Sequence, residues 1–408
     1  MSPLFMLEMT LGGNSMGRPI YFYNENSSQL YMDAFLSLLE YGKEVGPRGK
    51  LTKELHPVTV GFANPLSRAT FVKGRTMNPF FQLAEPIWIT EGRSDVEWLK
   101  PYNASIAQFS DDGVYFNAPY GERLRHWGKN DARGFIFNPI DQLYDCYLKL
   151  KEDPQTRQAV AFIGNPQFDN SEYTHSGGKD IACNLNIKFK IREGKLDITV
   201  DNRSNDLHWG LFGANLSQFG FIQEVMASWL DVPVGEYFQQ ADSLHIYMND
   251  YGAKCNDPIL KAYGIGNVHE DKESPDVQEF LFEHEPRISS TYEEFQSTMR
   301  FFFERIDPVM NHEPTWEVSE EWMLVLDNIL VCPDDYLRMA FTAMFVKQAH
   351  NRGIMDAVLD GMEAMADSSW KVSCMRWLYP KYKDNEEFHE LYSSTSKDIM
   401  DYIERRGE

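Results

Sequence analysis

Two alternating stretches constrain most tightly what this chain can fold into. Residues 183–191 (CNLNIKFKI) and 196–202 (LDITVDN) carry apolar side chains at every second position, with Glu193-Gly194-Lys195 between them. A period of two on both sides of a turn marks a β-hairpin with one buried face. A hairpin lays its open ends side by side, so Asp180-Ile181-Ala182-Cys183 comes against Asn202-Arg203-Ser204-Asn205-Asp206. An arginine beside a cysteine favours the thiolate, the nucleophilic form. Taken alone, a single cysteine is more often an inert core residue.

Around the hairpin the periods mix. Helical spacing covers 27–42, 139–152 (opened by Pro139) and 216–230, and part of 78–99, where Pro86 belongs near a start or a kink. Residues 57–73 read as strands and turns, and 159–163 and 244–248 as short strands. With no regular βαβ repeat, the class is α+β: a mixed sheet with flanking helices. Near residue 253 the composition turns polar and rich in turn residues. From about 277 onward nearly all of the chain has helical spacing: 290–305, 318–331, 334–350, 354–366, 367–378 and 385–405. Residues 1–255 are therefore expected to form the main unit and 256–408 an all-helical C-terminal extension, its methionines filling the core. The first residues, MSPLFMLEMTLGG, lack a basic n-region and read as structural or disordered, not as a signal peptide.

Composition narrows the function classes. Sixty-one acidic against 39 basic side chains give a net charge of −22, which disfavours a nucleic-acid polymer as partner. No apolar run reaches roughly 18 residues, so no membrane span is expected. Cys146, Cys183, Cys255, Cys332 and Cys374 form no CxxC pair; neither disulfides nor a zinc site is expected, and a cytoplasmic setting fits. Phosphate-loop, HExxH and EF-hand patterns are missing and the histidines stand singly, so no metal is expected.

The segment around the hairpin resembles the thymidylate synthase family, whose deoxynucleotide hydroxymethylases act on dUMP or dCMP. That family carries, in order, a catalytic Cys, a Gln-Arg-Ser-x-Asp motif, an Asn closing Gly-Leu-Pro-Phe-Asn, and Asp-x-His-x-Tyr. Here stand Cys183, Asn202-Arg203-Ser204-x-Asp206, Asn215 after Gly210-Leu211-Phe212-Gly213-Ala214, and His245-x-Tyr247. Upstream, Ala84-Glu85-Pro86-Ile87-Trp88 resembles a Glu-Leu-Leu-Trp helix and Tyr120-Gly121-x-x-x-Arg125 a Tyr-Gly-x-x-x-Arg loop. Asp153-Pro154-x-x-Arg157-Gln158 resembles Asp-Pro-x-x-Arg-Arg, and Arg48-Gly49 the N-terminal Arg-x-Gly. The resemblance spans about residues 45–255.

What it implies is a one-carbon transferase using 5,10-methylenetetrahydrofolate as co-substrate and no metal. Cys183 would add to C6 of a pyrimidine nucleotide. Arg48, Arg157, Arg203 and Ser204 would hold its phosphate, with Arg157 reaching the partner subunit's site in a homodimer. Asn215 would bond the ring's O4 and N3, and His245 and Tyr247 the deoxyribose hydroxyl. Glu85 would order water for proton transfer, Tyr120 would assist loss of the C5 proton, and Asp206 and Trp88 would face the folate. The bland readings are a solvated helix position for Glu85, packing roles for Tyr120 and Tyr247, and structural roles for His208, Trp209 and Trp127.

Departures from the pattern select the reaction. Asn184 replaces the usual His after the nucleophile, Asn202 replaces Gln, Gln158 replaces the second Arg, and Ser243 stands where the family has Asp. Residues 105–112 (SIAQFSDD) hold no Trp to stack on folate, and the family's C-terminal closing segment is not recognisable. A site without these elements admits water more easily, and water addition gives a 5-hydroxymethyl product. An amide at position 215 donates to O4 and accepts from N3–H, which suits uracil. The reading is therefore a dUMP hydroxymethylase making 5-hydroxymethyl-dUMP, of the kind phages use for DNA modification, acting in the host cytoplasm. Thymidylate synthase, then dCMP hydroxymethylase, are the enzyme alternatives. A catalytically inactive nucleotide- or RNA-binding module is the alternative from another class.

Overall fold

The computed structural model describes residues 20–128, 139–249, 251–268, 274–280, 282–311 and 318–404; the N-terminal segment read above lies outside them. The strands are β1 (Ile20–Asn24), β2 (Lys43–Val45), β3 (Thr52–Leu55), β4 (Val58–Phe62), β5 (Val160–Phe162), β6 (Asn184–Arg192), β7 (Lys195–Asn202), β8 (Asn205–Asp206), β9 (Val234–Ala241) and β10 (Leu244–Tyr247). Six of them form one sheet in the order β1-β4-β9-β7-β6-β5, and four a second in the order β2-β3-β10-β8. The large sheet is mixed: β1 with β4 and β7 with β9 are parallel, and its other pairs antiparallel. The α+β class with a mixed sheet is what the chain adopts.

The expected hairpin is β6–β7. Its two-residue loop has Glu193 at φ 50° and Gly194 at φ 77°, the doubly left-handed turn that matches the twist of paired strands. At the other end the register slips between Asn184 and Asn186. This bulge lies one residue past Cys183, the kind of irregularity that re-aims a side chain at a sheet rim.

The first helices are α1 (Ser27–Tyr41), α2 (Pro79–Thr90), α3 (Tyr120–Arg125), α4 (Gln142–Glu152), α5 (Leu216–Leu230) and α6 (Tyr251–Ala262). Helix α5 packs on β7 and β9 and against α2. Three expectations are corrected. Pro86 lies in the interior of α2 and not near its start. Eleven of that helix's twelve residues are buried, and this packing outweighs a proline cost of about 3 kcal/mol. The polar stretch after 250 forms α6, because Cys255 and Ile259 are buried and Asn256 bonds inward to the Tyr247 carbonyl (3.0 Å). Helix α4 begins at an Asp141 cap and not at Pro139.

Beyond residue 290 come α7 (Tyr292–Phe301), α8 (Val318–Leu330), α9 (Asp335–Arg352), α10 (Met355–Ala364), α11 (Ser369–Tyr382), α12 (Glu386–Ser393) and α13 (Lys397–Glu404). They share one hydrophobic core with the sheet-bearing half. Helices α9 and α11 lie on α2, with Trp377 edge-on to Phe80. The Trp98 indole N–H donates to Asp307 (2.9 Å). Buried Arg68 pairs with Glu224 (2.5 Å), lies over the Tyr336 ring, and Glu224 in turn accepts from the Ile288 N–H (3.0 Å). The helical region is thus the outer wall of helix α2, which carries Glu85.

Candidate active site

At the bulged end of the hairpin the Arg203 guanidinium lies 3.6 Å from the Cys183 sulfur. It is held there by the Ala182 carbonyl (Nε, 2.8 Å) and the Ile181 carbonyl (Nη2, 2.9 Å), while the Arg203 N–H donates to the Cys183 carbonyl (3.0 Å). Burial pushes the Cys183 thiol up; the Arg203 and Arg48 charges pull it down, and Asp180 and Asp206 oppose them. Asp180 is itself pushed up to about 6 by burial, so its opposing charge is present near neutral pH and is lost as pH falls through about 6. Cys183 alone among the five cysteines is not fully buried. Arg48 sits in an exposed turn with a left-handed φ of 54°, a conformation unusual for a side-chain-bearing residue.

Two of the departures explain each other. Asn184 and Asn202 are direct cross-strand partners, and the Asn202 amide donates to Asn184 Oδ1. Gln239 on β9 donates to both carbonyl oxygens, at 3.1 Å to Asn184, and accepts from the Tyr237 hydroxyl. Asn184 then donates through Nδ2 (3.0 Å) and its backbone N–H (3.3 Å) to the Tyr120 hydroxyl oxygen. With two donors aimed at its oxygen, Tyr120 keeps its own proton free to donate. Burial and the Cys183 charge raise its pKa well above the ordinary phenol value. Gly121 follows because a Cβ there would come within 2.9 Å of the Arg93 and Ile89 backbone carbonyls.

Asn215 and Glu85 meet through a residue the motif comparison missed. The Asn215 amide donates to Gln218 Oε1 (3.1 Å), and Gln218 Nε2 donates to Glu85 Oε2 (2.6 Å). Glu85 is half-buried and held by Gln218, not a freely solvated helix position, and its carboxyl is pushed up to about 8 by desolvation that the Gln218 bond only partly offsets. It therefore carries a proton around neutral pH, as a proton-transfer group needs. Asn215 is placed by an unusual helix: Leu207–Asn215 is π-helical, with the Leu216 N–H bonding the Leu211 carbonyl. The family motif counts five residues from its Gly to its Asn, and this chain counts six, Gly210 to Asn215. The wider π turn absorbs the extra residue.

On the second sheet, β8 runs beside β10 so that Asp206 pairs with His245. His245 is buried, with Nδ1 3.4 Å from the Ser243 hydroxyl, which donates to Glu54 Oε2 (2.5 Å) on β3. The carboxylate that the family has at position 243 is thus supplied across the sheet by Glu54. Tyr247 is edge-on to His245 and within the fields of Arg48, Asp206 and Cys183. Asp206 is half-buried, caps the π-helix by accepting from the His208 N–H (2.8 Å), and faces Arg75 and Tyr251. His208 is structural: its ring lies between Tyr31 (2.5 Å) and Asn256 (2.7 Å).

Cys183, Arg203, Arg48, Asp206, Tyr120, Asn184 and Tyr247 are thus linked by these bonds and fields, and Asn215 and Glu85 are joined through Gln218. Ser204 is half-buried in the same turn as Arg203. Two expected residues stand apart. Arg157 is exposed on the loop before edge strand β5. Trp88 is 3% exposed, donates its indole N–H to the Asp95 carbonyl (3.0 Å) and packs edge-on to Phe116, so it supports the wall and does not line it. Gln218 was findable as an amide one turn beyond Asn215, and Gln239 as a polar inward position in the alternating strand 234–241. Nothing in the spacing points to Glu54.

The family model for thymidylate synthase matches residues 29–259. Over 387 residues, 94% of this chain and 99% of the relative, the sequence is 48% identical to a protein of Bacillus phage SP01 named deoxyuridylate hydroxymethyltransferase. Proteins of the same name from Pseudomonas phage M6 and Delftia phage PhiW-14 are 31% and 28% identical. They cover 79% and 47% of this chain, and 83% and 52% of their own lengths. The 94% coverage carries the first match through the C-terminal helices, which are therefore shared and not peculiar to this chain. By the family match, the fold and these relatives, the chain belongs to the thymidylate synthase family.

Proposed function

We propose that this protein is a dUMP hydroxymethylase that makes 5-hydroxymethyl-dUMP with 5,10-methylenetetrahydrofolate as co-substrate. The observation that carries the reading is the Cys183–Arg203 apposition in a chain 48% identical, nearly end to end, to a phage protein named for that activity. The Cys183 sulfur forms a bond to C6, and the C5=C6 electron pair moves toward O4, where Asn215 donates to the developing enolate. C5 uses the enolate electron pair to bond the one-carbon unit, at the oxidation level of formaldehyde, and loss of the C5 proton would then release tetrahydrofolate with the C–N bonding pair, leaving an exocyclic methylene. The C5 proton goes to water, and Tyr120, its oxygen fixed by two Asn184 donors, holds that water by donating its own hydroxyl proton to it in a hydrogen bond. Glu85, protonated in its desolvated setting, exchanges protons with water near O4. Water then adds to the exocyclic carbon, and the sulfur leaves C6 with its bonding pair, restoring the ring double bond.

Arg48 and Arg203 hold the phosphate from one subunit, and His245, set by Ser243 and Glu54, bonds the deoxyribose hydroxyl together with Tyr247. Asp206, an acid beside Tyr251, suits the amino-pyrimidine edge of a pterin; Trp88 acts only by supporting that wall. The outward face of the large sheet supports a homodimer: Tyr21, Tyr23 and Phe162 point from it and are 43–52% exposed. Arg157 stands at this sheet's edge, where a second subunit's site would meet it.

Incubation with dUMP or dCMP and methylenetetrahydrofolate, with the product identified by mass, tests the reading. The expected result is 5-hydroxymethyl-dUMP without dihydrofolate; thymidylate accompanied by dihydrofolate would sink it. Cys183→Ala is expected to abolish turnover and the covalent adduct with 5-fluoro-dUMP, and an active variant would defeat the mechanism.

A further inference from the structure

Asn215 could meet a pyrimidine in either of two orientations. With Nδ2 toward O4 and Oδ1 toward N3–H it reads uracil. Turned over, Oδ1 accepts from the cytosine amino group and Nδ2 donates to N3. An asparagine free to turn would therefore accept both bases.

In this structure it is not free. Asn215 is buried and its Nδ2 donates to Gln218 Oε1 (3.1 Å). Turning it over would set Oδ1 against Oε1, two acceptors face to face. Gln218 can turn to relieve this only if the Glu85 proton moves onto the oxygen that now accepts from Nε2 (2.6 Å), because Oε1 would otherwise face an acceptor there. Gln218 is itself only 4% exposed, so water cannot readily replace a lost bond. As observed, the donors run in one direction along the three side chains and end on Glu85 Oε2, the accepting oxygen of the carboxyl group.

We propose that Gln218 is a specificity-determining positioning residue: by transmitting the acceptor character of Glu85 to Asn215, it locks the amide in the orientation that reads uracil. This rests on the reading above that the substrate is a deoxyuridine nucleotide. Gln218 does not touch the base; it acts through Asn215.

The test is calorimetric binding of dUMP and of dCMP to the full-length protein and its variants, separate from product formation. Gln218→Met keeps the volume and removes the chain of donors, so the dUMP-over-dCMP affinity ratio is expected to fall by about tenfold or more, the effect of one misaligned buried hydrogen bond. Gln218→Asn, polar but too short to span Glu85 and Asn215, is expected to show the same loss and serves if the Met variant does not fold. Gln218→Glu at pH 6, where the two neighbouring acids share a proton, restores donor and acceptor and is expected to keep most of the preference.

A ratio unchanged in Gln218→Met or Gln218→Asn, however far both affinities drop, overturns the proposal, because a merely structural role moves both nucleotides together. Wild-type protein that binds the two nucleotides equally also overturns it. Failure of the hydroxymethylase reading shows differently: dUMP is preferred in binding, but no 5-hydroxymethyl product forms.

Discussion

Removing the Asn184 carboxamide tests whether the two substituted motif positions work as a unit. Asn184, Asn202 and Gln239 are at most 3% exposed, so a broken bond among them is not repaired by bulk water. Asn184→Ala removes the bonds to Oδ1 from Asn202 and Gln239 and the 3.0 Å bond to Tyr120. At about 1 kcal/mol per net bond, and about 1–3 kcal/mol for the orphaned Asn202 donor, the loss is about 4 kcal/mol. Asn202→Ala removes the mutual bond and the one from Gln239, for about 3 kcal/mol on the same scale. In the double variant the mutual bond is lost only once and the orphaned Asn202 donor is gone. The sum should therefore fall short of additivity by about 2 kcal/mol. Urea unfolding of the four proteins measures this coupling directly. Single costs that add to within about 0.5 kcal/mol would refute the network, since that is the behaviour of independent sites.

Three further outcomes follow from burial and charge. Glu85 has its pKa raised from 4.5 to about 8, so the folded state holds a proton that the unfolded chain loses, and stability falls as pH rises between those values by several kcal/mol, on the order of the shift. Glu85→Gln should be less active yet flatter in unfolding midpoint from pH 5 to 8; parallel curves for the two proteins would rule this out. His208 is shifted the other way, from 6.5 to about 4, so its contribution is complete above 6.5 and is lost as pH falls toward 4; His208→Gln should reduce that acid slope, and an unchanged slope contradicts the assignment. Deletion of everything after residue 262 strips the cover from Phe80, Trp98 and Arg68. The fragment should be insoluble or molten by near-ultraviolet dichroism, and a soluble, cooperatively melting fragment would show that the helical region is a separate domain.

The hairpin, helix α5 and the order of the motif residues were legible because each rests on local period or on residue type. Strand β9 was not, since VGEYFQQA carries polar Gln239 at an inward position whose partners lie on two other strands. Helix α6 was hidden for a related reason: its mean character is polar, and only the tertiary bonds of Asn256 and the burial of Cys255 and Ile259 reveal the inward face. In the site, the sequence named the groups that carry chemistry but not those that aim them. Glu54 and Gln239 act from distant strands, at positions where spacing holds no information. Asn184 and Asn202 looked like two separate losses of a family residue until register showed them to be one exchange.

The π-helical turn from Leu207 to Asn215 bears on how such a chain can change length. In an ordinary α-helix one inserted residue turns everything downstream by about 100°, which would swing Asn215 off the ring while leaving Asp206 in place. Here the turn is widened over Leu207–Asn215, and at its end Asn215 still bonds Gln218, which bonds Glu85. The catalytic half can therefore tolerate a length polymorphism between two of its functional residues, a place where a gap in a sequence comparison marks no break in the active site.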